Sequence, residues 1–398
     1  MGARGPRSVR ITGWGRYVPE RILTNADLEK LVDTSDEWIV SRTGIRERRM
    51  AAPHETTATL AAIAGKRAIA VAGLEPDDID LILVGTLTPD YWMPATAVLV
   101  KEAIGNTRAV AFDVMAACSG FVYAYATADA FIRSGVYRNV LVIGAELLTR
   151  FLDFSDRNTC ILFGDGAGAI VVSASDEEGG GLRGMELTTD PDGAYMIWLP
   201  SGGSKSPPSH ETISRGEHFV RMEGRETYRF ATRTLATSAL KAIERAGWKL
   251  EDVDLLIPHQ ANVRIIESVS KGLGLPMSKM FVNVDRYGNT SAASVGIALA
   301  EAVDSGRVKI GDKIVFVAFG AGFTSGAAAV EWTADPVNGH RADSVVPEAS
   351  VRAPLDWDSV DPIPERLRAL LASREGPQVP LDDVVPGEPE PVHRGAPA

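Results

Sequence analysis

The chain has 398 residues, of which 45% are hydrophobic and 23% are charged, and its formal net charge is −11. This is the balance of an ordinary soluble globular protein, with enough residues for one large core or for two domains of about 150 residues. The acidic balance argues against a generally nucleic-acid-binding surface. No run of about 18 apolar residues occurs, so the sequence predicts no membrane-spanning helix.

The cysteines and histidines set expectations about compartment and metals. Cys118 and Cys160 are the only cysteines, which is typical of a protein from a reducing compartment. The N-terminal segment lacks the apolar stretch of a signal peptide, so we expect a cytoplasmic location. The six histidines do not stand at ligand spacing with cysteine or glutamate, so we expect no metal.

The composition changes near residue 335. Residues 335–398 hold 11 of the 23 prolines and carry twelve Asp or Glu against six Arg, a net charge of −6. Such a segment buries too little apolar surface to fold alone, so we expect an extended tail. One short helix is predicted over 364–374, because Leu367, Leu370 and Leu371 share a face.

Residues 1–334 alternate apolar, strand-length runs with helix-length segments. This is the pattern of an α/β domain with buried strands. The predicted strands lie at 80–87, 109–115, 139–146, 167–174, 254–260 and 313–320.

Two stretches of the chain repeat one another. The run AGLEPDDIDLI begins at Ala72 and AGWKLEDVDLL begins at Ala246, an ungapped offset of 174 residues. Further on, an offset close to 171 places Cys118 opposite Asn289, each at a predicted strand-to-helix junction. We therefore expect two homologous halves, 1–178 and 179–334, that share one active site.

Cys118 follows a predicted buried strand that ends at Met115 and opens a helix-length apolar run. The unpaired amides and the dipole of a helix N-terminus favour a thiolate, so we expect a lowered thiol pKa. Small residues on both sides leave room for an acyl group beside the sulfur. The alternative is a small core residue at a helix start.

His259 in IPHQAN (257–262) and Asn289 in YGNTSAASV (287–295) are the other candidate catalytic side chains. His259 lies at the carboxyl end of a predicted strand, where ligands bind in open α/β sheets. Both side chains offer uncharged N–H donors that can stabilise a developing enolate. Each also has a structural interpretation, a histidine bonded in the core and an asparagine helix cap.

Two glycine-rich runs are candidates for a functional role. In AFGAGFTSG (318–326), Gly320-Ala321-Gly322 forms a tight turn between apolar strands, where an exposed amide can complete an oxyanion hole with the amide of Cys118. The alternative is a plain glycine hairpin. The run FGDGAGAI at 163–170 lacks the Lys-Ser/Thr of a P-loop, and we interpret it as close strand packing.

A cysteine, a histidine and an asparagine together define a chemistry. A thiolate attacks a thioester and holds the acyl group, while an oxyanion hole stabilises each tetrahedral intermediate. Two neutral donors then hold the carbonyl of a malonyl thioester and stabilise the enolate that remains when CO2 leaves. The sequence therefore predicts a decarboxylating condensation.

From about Arg10 to Trp332 the chain resembles the ketoacyl-acyl carrier protein synthase III family. The runs that carry the resemblance are VDTSDEWIVSRTGIRERR (32–49), AACSGF (116–121), FGDGAGA (163–169), PHQAN (258–262), GNTSAAS (288–294) and FGAGFTSG (319–326). The resemblance implies a thiolase-like α/β fold with duplicated halves in five αβαβα layers, and a homodimer. It also implies a ping-pong condensation of an acyl-CoA primer, with acetyl-CoA expected, and malonyl-acyl carrier protein. This reaction initiates fatty acid synthesis, and the CoA thioester is a substrate, so no cofactor is expected.

The resemblance assigns roles to individual residues. It implies Cys118, His259 and Asn289 as the catalytic triad, with Ala321 in the oxyanion loop. Three further sets follow. The CoA site would consist of Trp38, which stacks on adenine, of Arg42 and Arg157, which flank the nucleotide, and of Thr34 nearby. The carrier protein would contact Arg264, with Arg229 and Lys271. Met93 would reach the primer pocket from across the dimer interface. The alternatives are a helix-face core residue for Trp38 and an ordinary solvated surface for the three cations.

The chain departs from the family's pattern at three places, one of which is the proline-rich tail after residue 335, which has no counterpart in the compact members of the family. Ala321 stands in the middle of what is usually a triple-glycine turn, where its methyl group narrows the space beside the amide. Met93 occupies a position that varies within the family, which leaves the length of the primer open.

The residues of other condensing-enzyme classes differ from those of this chain. A thiolase would carry a second active-site cysteine in the C-terminal half, and the chain has none after Cys160. Ketoacyl synthases of types I and II use a second histidine where this chain has Asn289. Two alternatives stay open: a secondary-metabolism acyltransferase or starter-unit enzyme, and a non-catalytic partner subunit, although the intact Cys118 argues against the second.

Overall fold

The computed structural model describes residues 8–335, which fall within one compact unit. The strands are β1 Ser8–Tyr17, β2 Ile22–Thr24, β3 Glu47–Arg49, β4 Leu81–Gly85, β5 Val110–Val114, β6 Asn139–Leu147, β7 Asp165–Ser175, β8 Gly181–Thr189, β9 Ile197–Trp198, β10 Arg221–Met222, β11 Leu255–Pro258, β12 Lys313–Gly320 and β13 Thr324–Glu331. The helices are α1 Asn25–Leu28, α2 Asp36–Thr43, α3 Thr57–Val71, α4 Thr96–Ile104, α5 Gly120–Arg133, α6 His210–Ser214, α7 Gly224–Arg245, α8 Val263–Leu273, α9 Val284–Tyr287 and α10 Ala293–Asp304.

Two large sheets form the centre of the structure. One sheet has five strands in the order β1-β7-β6-β4-β5, and the other has four strands in the order β11-β12-β13-β8. Their inner strands are apolar runs because helices cover both faces, and every residue of β4 is buried. All strands of the first sheet come from residues 8–175, and all strands of the second come from residues 181–331.

Helices and sheets alternate in five layers. Helices α3 and α4 cover the outer face of the five-stranded sheet, while α5 and α10 lie between the two sheets. Helices α7 and α8 pack on the outer face of the four-stranded sheet. The core between the sheets contains Phe121 and Tyr125 of α5, Leu299 of α10 and Phe316 of β12. The central helix layer matters for function because Cys118 precedes α5 and Asn289 precedes α10.

The two sheets repeat the same topology. Read from β8, the second sheet runs β8-β13-β12-β11, with the same sequence of antiparallel and parallel pairings as β1-β7-β6-β4 in the first. The place of β5 is taken by a single parallel bridge between Leu256 and Met280. The predicted duplication is therefore visible in the fold, with one strand reduced in the second copy.

Glycines let the central helices approach the sheet closely. A Cβ atom on Gly168 would come within 2.3 Å of the backbone nitrogen of Ile297, and one on Gly296 within 2.9 Å of the backbone of Gly168. Helix α10 therefore packs directly on the backbone of β7. This confirms that the glycine-rich run at 163–170 serves close packing.

The six predicted strands correspond to β4, β5, β6, β7, β11 and β12. One detail of that prediction is wrong: β5 is not fully buried, because it forms an edge of its sheet and has no second neighbouring strand within the described range 8–335. Val110 is 49% exposed and Met115, just beyond the strand, is 63% exposed. The predicted helix at 364–374 lies outside the described residues, and the limits 1–178, 179–334 and 335–398 stay predictions. Among residues 8–335, no helix combines the length and the apolar character that crossing a bilayer requires.

Candidate active site

Cys118, His259 and Asn289 line a single cavity of about 520 Å³. The wall is mostly apolar and includes Phe163 and Phe319. The structure thus brings the three predicted catalytic side chains together, one from the first half of the chain and two from the second. An apolar cavity with a few converging polar groups is the usual form of a small-molecule site.

A tight turn presents Cys118 to the cavity. After β5 the chain reaches Ala117, whose φ of 46° lies in the left-handed region that side chains other than glycine rarely adopt. A 3-10 turn over Ala117–Ser119 then leads into α5, and the hydroxyl of Ser119 donates to the carbonyl oxygen of Ala116 at 2.7 Å. Strain of this kind marks positions that the surrounding structure holds for a purpose.

The predicted lowering of the Cys118 pKa is wrong. Burial raises the pKa of the thiol to about 12, and the nearby carboxyl of Glu146 adds to the increase, whereas the hydrogen bond between Cys118 and Ser291 opposes it. The prediction considered the helix terminus but not the depth of the cavity, where a thiolate loses its hydration. The thiol is therefore protonated at neutral pH, and its attack on a thioester requires a group that accepts its proton.

His259 is fully buried and held from two sides. Its backbone nitrogen donates to the carbonyl oxygen of Val317 at 2.7 Å, and its Nδ1 lies 2.6 Å from Oγ of Ser294. Ser294 Oγ also accepts a hydrogen bond from the backbone nitrogen of Gln260 at 3.3 Å, so its own hydrogen is available for Nδ1. When Ser294 donates this hydrogen to Nδ1, the ring proton lies on Nε2.

The Nε2 atom of His259 is a donor without a protein acceptor. It is buried and has no hydrogen-bond partner among residues 8–335. The ring of Phe319 stands edge-on to the imidazole, with 5.5 Å between ring centroids. Burial lowers the pKa of His259 to about 3, so the ring stays neutral at physiological pH. His259 therefore offers an uncharged N–H to a ligand in the cavity.

Backbone bonds fix Asn289 in place. Its nitrogen donates to the carbonyl oxygen of Leu162 at 2.8 Å, and its carbonyl oxygen accepts from the nitrogen of Gly164 at 3.0 Å. The side-chain oxygen Oδ1 accepts from the backbone nitrogen of Ser291 at 2.8 Å. Because Oδ1 is engaged in the turn, the Nδ2 group is the part of this side chain that remains for a ligand.

The predicted oxyanion turn lies against the backbone of Cys118. A Cβ atom on Gly320 would come within 2.6 Å of the Cys118 nitrogen, so only glycine permits this approach. Thr324 Oγ1 lies 3.0 Å from the carbonyl oxygen of Ala116 and 2.7 Å from Oγ of Ser119, which ties the two loops together. Ala321 lines the cavity, as the prediction requires.

The predicted CoA residues form a cluster at the surface. The guanidinium groups of Arg42 and Arg157 lie 5.7 and 5.2 Å from the ring centroid of Trp38. Arg157 donates to the carbonyl oxygen of Asp33 at 3.0 Å, next to Thr34. The side chain of Asn262, which lines the cavity, donates to the carbonyl oxygen of Arg42 at 3.1 Å. The cluster is thus joined to the wall of the cavity.

The predicted carrier-protein residues lie on two adjacent helices. Arg264 and Lys271 are exposed in the first and last turns of α8, and Arg229 is exposed on α7, which packs against α8. Arg229 donates to the carboxyl of Glu226 at 3.0 Å. Asn262, which caps α8 by accepting from the nitrogen of Arg264 at 2.8 Å, also lines the cavity. Arg264 therefore lies at the end of α8 that meets the cavity, and Arg229 directly follows Tyr228, which also lines it, whereas Lys271 lies at the far end of α8.

Met93 is not part of the cavity of its own chain. Met93 is 83% exposed, while its neighbour Trp92 lines the cavity. The predicted contribution of Met93 to the pocket of a partner subunit stays a prediction. Residues 8–335 contain no group of three side chains placed to hold a metal ion.

Three side chains around the triad were missed from the sequence: Glu146, Ser291 and Ser294. Glu146 is fully buried, and its Oε1 accepts from Oγ of Ser291, which also lies 3.2 Å from Sγ of Cys118. A signal was present, because Glu146 is the single charged residue in the apolar run VLVIGAELL and both serines belong to GNTSAAS. A charge inside a buried strand marks a site that needs it.

Comparison with known proteins identifies the family. The family model described as 3-oxoacyl-[acyl-carrier-protein (ACP)] synthase III matches residues 112–191, and its C-terminal counterpart matches residues 243–332. A beta-ketoacyl-[acyl-carrier-protein] synthase III of Caldanaerobacter subterraneus subsp. tengcongensis is 51% identical over 323 residues, which cover 81% of this chain and 97% of the relative. The chain belongs to the beta-ketoacyl-[acyl-carrier-protein] synthase III family. The predicted resemblance is confirmed.

Solved structures of synthase III enzymes share the fold. The crystal structure of 3-oxoacyl-[acyl-carrier-protein] synthase III from Aquifex aeolicus VF5 matches with a TM-score of 0.76 and 45% identity, over 82% of this chain and all of that one. The priming beta-ketosynthase of the R1128 polyketide biosynthetic pathway matches with a TM-score of 0.78 and 34% identity, over 84% of this chain and 99% of its own. These matches confirm the predicted thiolase-like fold.

Proposed function

We propose that this synthase III joins an acyl-CoA primer to malonyl-acyl carrier protein by a decarboxylating Claisen condensation that initiates fatty acid synthesis. One observation carries the proposal: a buried thiol and two neutral N–H donors, His259 and Asn289, line one apolar cavity. This set can hold an acyl group on sulfur and can stabilise an enolate without opposing its charge. The reaction needs no cofactor, because both thioesters are substrates.

The first half-reaction takes place at Cys118. The sulfur attacks the carbonyl carbon of the acyl-CoA, and the tetrahedral oxygen is received by backbone amides of Cys118 and of the turn at Ala321. The close contact of Gly320 with the Cys118 nitrogen supports this pairing of the two loops. CoA leaves, and the acyl group remains on the sulfur.

The second half-reaction takes place beside His259 and Asn289. Nε2 of His259 and Nδ2 of Asn289 donate to the thioester oxygen of the malonyl group, so that the enolate formed by loss of CO2 is stabilised where its charge develops. Removal of one such donor typically costs about 10²–10³ in rate. The enolate carbon attacks the acyl group on Cys118, and a 3-ketoacyl-acyl carrier protein leaves.

Acyl-CoA binding is assigned to the cluster at Trp38. In the free protein, the guanidinium groups of Arg42 and Arg157 contact the ring of Trp38. An adenine ring bound on the face of Trp38 would replace these contacts by stacking between two planar rings. Thr34 lies next to Asp33, whose carbonyl oxygen anchors Arg157. The link through Asn262 leads from this cluster to the cavity, which suits a long CoA molecule with its thioester at Cys118.

The carrier protein docks on α7 and α8 in this proposal. Arg229, Arg264 and Lys271 are exposed cations on two packed helices, and Arg264 lies beside the cavity wall formed by Asn262. Such a patch suits an acidic partner, and it steers association most strongly at low salt.

A homodimer is proposed from the free edge of β5. Val110 and Met115 are exposed large apolar residues at this edge, and Val98 on the adjoining helix α4 and Trp92 and Met93 on the loop before α4 are exposed as well. Covering them with a second copy would extend the sheet and bring Met93 near the partner's pocket. Sedimentation of the full chain at micromolar concentration should show a dimer, and a monomer would contradict the proposal.

The proposed location is the cytoplasm. Both cysteines are free, as a reducing compartment requires, and the proposed substrates are CoA and carrier-protein thioesters. A starter-unit condensing enzyme of secondary metabolism is the second candidate, and the 34% identity to the R1128 priming ketosynthase favours it.

The test is a reconstituted condensation. The purified full chain is incubated with acetyl-CoA and malonyl-acyl carrier protein, and the carrier protein is analysed by mass spectrometry. A 3-ketoacyl product with release of CO2 supports the proposal. An acyl group moved to another acceptor without CO2 release would contradict it. Carrier proteins of fatty acid and polyketide synthesis, assayed in parallel, separate the two candidate pathways by relative kcat/KM.

A further inference from the structure

A chain of three buried side chains leads from the nucleophile into the sheet. Oγ of Ser291 lies 3.2 Å from Sγ of Cys118 and 3.1 Å from Oε1 of Glu146. Ser291 comes from the turn before α10, Glu146 from β6, and Cys118 from the turn before α5. The contact therefore joins the two halves of the chain at the reacting sulfur.

When Glu146 is ionised, only one sense of these contacts satisfies all three groups. Ser291 has a single hydroxyl hydrogen, and the carboxylate oxygen of Glu146 can only accept it. The contact with Cys118 is then made in the reverse sense, with the thiol hydrogen directed at Oγ of Ser291. This direction places the thiol proton at the start of a path that ends on Oε1 of Glu146.

The carboxyl of Glu146 is oriented so that Oε1 is the receiving oxygen. Its other oxygen, Oε2, accepts from Oγ1 of Thr88 at 2.6 Å, from the nitrogen of Leu87 at 3.2 Å and from Oγ1 of Thr86 at 3.3 Å. Thr88 is itself oriented, because its Oγ1 accepts from the nitrogen of Leu147 at 2.9 Å. Oε1 has Ser291 and a weaker contact with the Leu87 nitrogen at 3.3 Å.

The backbone at Ser291 supports a functional placement. Its φ is 47°, in the left-handed region, and Ala117 beside the thiol has a φ of 46°. Two residues without glycine's freedom are thus held in an unfavourable conformation on the two sides of one sulfur. Such outliers persist where the surrounding structure enforces them, and they concentrate at functional sites.

We propose that Glu146, acting through Ser291, is the base that receives the proton of the Cys118 thiol during acyl transfer. As Sγ bonds to the acyl carbon, its proton passes to Oγ of Ser291 while the Ser291 hydrogen passes to Oε1 of Glu146. The bond between carbon and the CoA sulfur then breaks, and the CoA thiolate takes a proton from solvent. This inference rests on the proposed acyl transfer to Cys118.

The stored proton returns in the second half-reaction. When the enolate attacks the acyl group, Cys118 leaves as a thiolate inside a dry cavity. Glu146 then gives its proton back through Ser291, which restores the thiol and the carboxylate. One turnover consumes one proton from solvent, taken up by CoA, and the protein ends as it began.

The electrostatic setting suits a group that gains and loses a proton. Burial raises the pKa of Glu146 to about 7, although hydrogen bonds from Thr88, Leu87, Ser291 and Thr86 oppose the increase. The titratable group that faces it is the thiol of Cys118 across Ser291. On the adjoining strand β7, the carboxyl of Asp165 is bound by the nitrogens of Ala51 and Thr149 and by Thr149 Oγ1.

The test compares variants by two readouts of Cys118. One is the pre-steady-state rate of acyl transfer from acetyl-CoA, followed by intact mass, and the other is alkylation of Cys118 by iodoacetamide from pH 6 to 9. Glu146→Gln and Ser291→Ala should each slow acyl transfer about 10²-fold, the usual size of a general-base contribution. The double variant should lose little more, because both residues act in one path. Ser238→Ala, a buried serine between α7 and β13, is the control.

The direction of the alkylation result decides the role. The negative charge of Glu146 raises the thiol pKa, so a residue acting only by its charge would leave Glu146→Gln alkylated faster near pH 7. The relay predicts slower alkylation instead. Glu146→Asp keeps a titratable group, so its rates of acyl transfer and alkylation should be higher than those of Glu146→Gln. If Glu146 only fills space, Glu146→Gln should be the faster variant. Acyl transfer or alkylation in folded Glu146→Gln at or above the wild-type rate would overturn the inference.

The two readouts also separate this inference from the proposed function. Alkylation needs no CoA, so it reports on the relay even if acetyl-CoA fails as a primer. Failure of the wild type to become acylated by any acyl-CoA would count against the proposed function. Slower alkylation of the variants would still support the relay, and unchanged alkylation would refute it. Thermal midpoints near that of the wild type show that each variant is folded.

Discussion

In residues 8–175 the loop after the fifth strand of the sheet carries the thiol of Cys118, whereas in residues 181–331 the equivalent loop carries the amide of Asn289. The two loops occupy matching places in a duplicated topology, yet their surroundings differ. Cys118 is linked to a carboxyl that titrates near neutral pH, and Asn289 and His259 are linked to hydroxyl and amide groups. The duplicated topology contains two equivalent loops, and the side chains around each loop determine that proton transfer takes place at Cys118 and not at Asn289.

The proposed substrate contacts divide in the same way. Trp38, Arg42 and Arg157, the CoA cluster, all belong to the first half of the chain. Arg229 and Arg264, together with Lys271, belong to the second half. The proposed acyl-CoA contacts and the nucleophile therefore lie in the first half, and the proposed carrier-protein contacts and enolate donors lie in the second, while the Ala321 turn and Ser291 of the second half complete the site of acyl transfer.

The largest effect is expected at the nucleophile. Cys118→Ala should lower condensation by about 10⁴–10⁶-fold, the range seen when a central catalytic group is removed. Cys160→Ala is the matched control, since Cys160 is buried outside the cavity lining. Intact mass after incubation with acetyl-CoA should show one acyl group on the wild type and on Cys160→Ala. An acyl group on Cys118→Ala would show that another residue is the nucleophile.

A smaller effect is expected from the CoA cluster. Loss of a stacking platform costs about 1–3 kcal/mol per base, so Trp38→Ala should raise the KM for acyl-CoA roughly 5- to 100-fold. The KM for malonyl-acyl carrier protein should change little. Trp248→Ala is the control, because Trp248 packs beside Lys313 and does not line the cavity. An increase in both KM values would break the assignment of substrates to separate halves.

The reciprocal change in the second half should be smaller still. Arg264→Ala should raise the KM for malonyl-acyl carrier protein several-fold at low salt, because an exposed cation contributes about 1 kcal/mol or less. The effect should shrink as salt rises, and the KM for acyl-CoA should stay constant. Arg108→Ala, an exposed arginine in the first half, serves as the control. An equal effect of both variants would remove the support for a docking surface at α8.

The smallest effect concerns the neutral state of His259. The folded pKa is about 3 against an ordinary value of 6.5, so between these pH values the unfolded chain binds a proton that the folded chain does not. Burial of neutral His259 therefore contributes stability above pH 6.5, which is lost as the pH falls toward 3.

Urea unfolding of wild type and His259→Gln at pH 7 and pH 5 measures this term. The stability advantage of the wild type should shrink by about 1–2 kcal/mol at the lower pH. His210→Gln, at an exposed histidine, should show no such change. A pH-independent difference would mean that His259 has the same pKa in the folded and unfolded chains, which would contradict its neutral burial.

Much of this site could be predicted from the sequence, because its signals are local. The runs around Cys118, His259 and Asn289 place polar residues after apolar strands, and the repeat places two of them opposite each other. The thiol pKa could not be predicted, because burial depth depends on how both sheets enclose the cavity. The partnership of Glu146 with Ser291 was equally hidden, since the two residues lie 145 positions apart in different halves.

The division between the halves is tested most directly by Asn289→Ala, assayed for both half-reactions in one preparation. Intact mass reports acyl transfer from acetyl-CoA, and labelled CO2 reports decarboxylation of malonyl-acyl carrier protein. We predict one acyl group on Cys118, with CO2 release slower by about 10²–10³-fold. An acylated variant that releases CO2 at the wild-type rate, or one that no longer becomes acylated, would contradict the account.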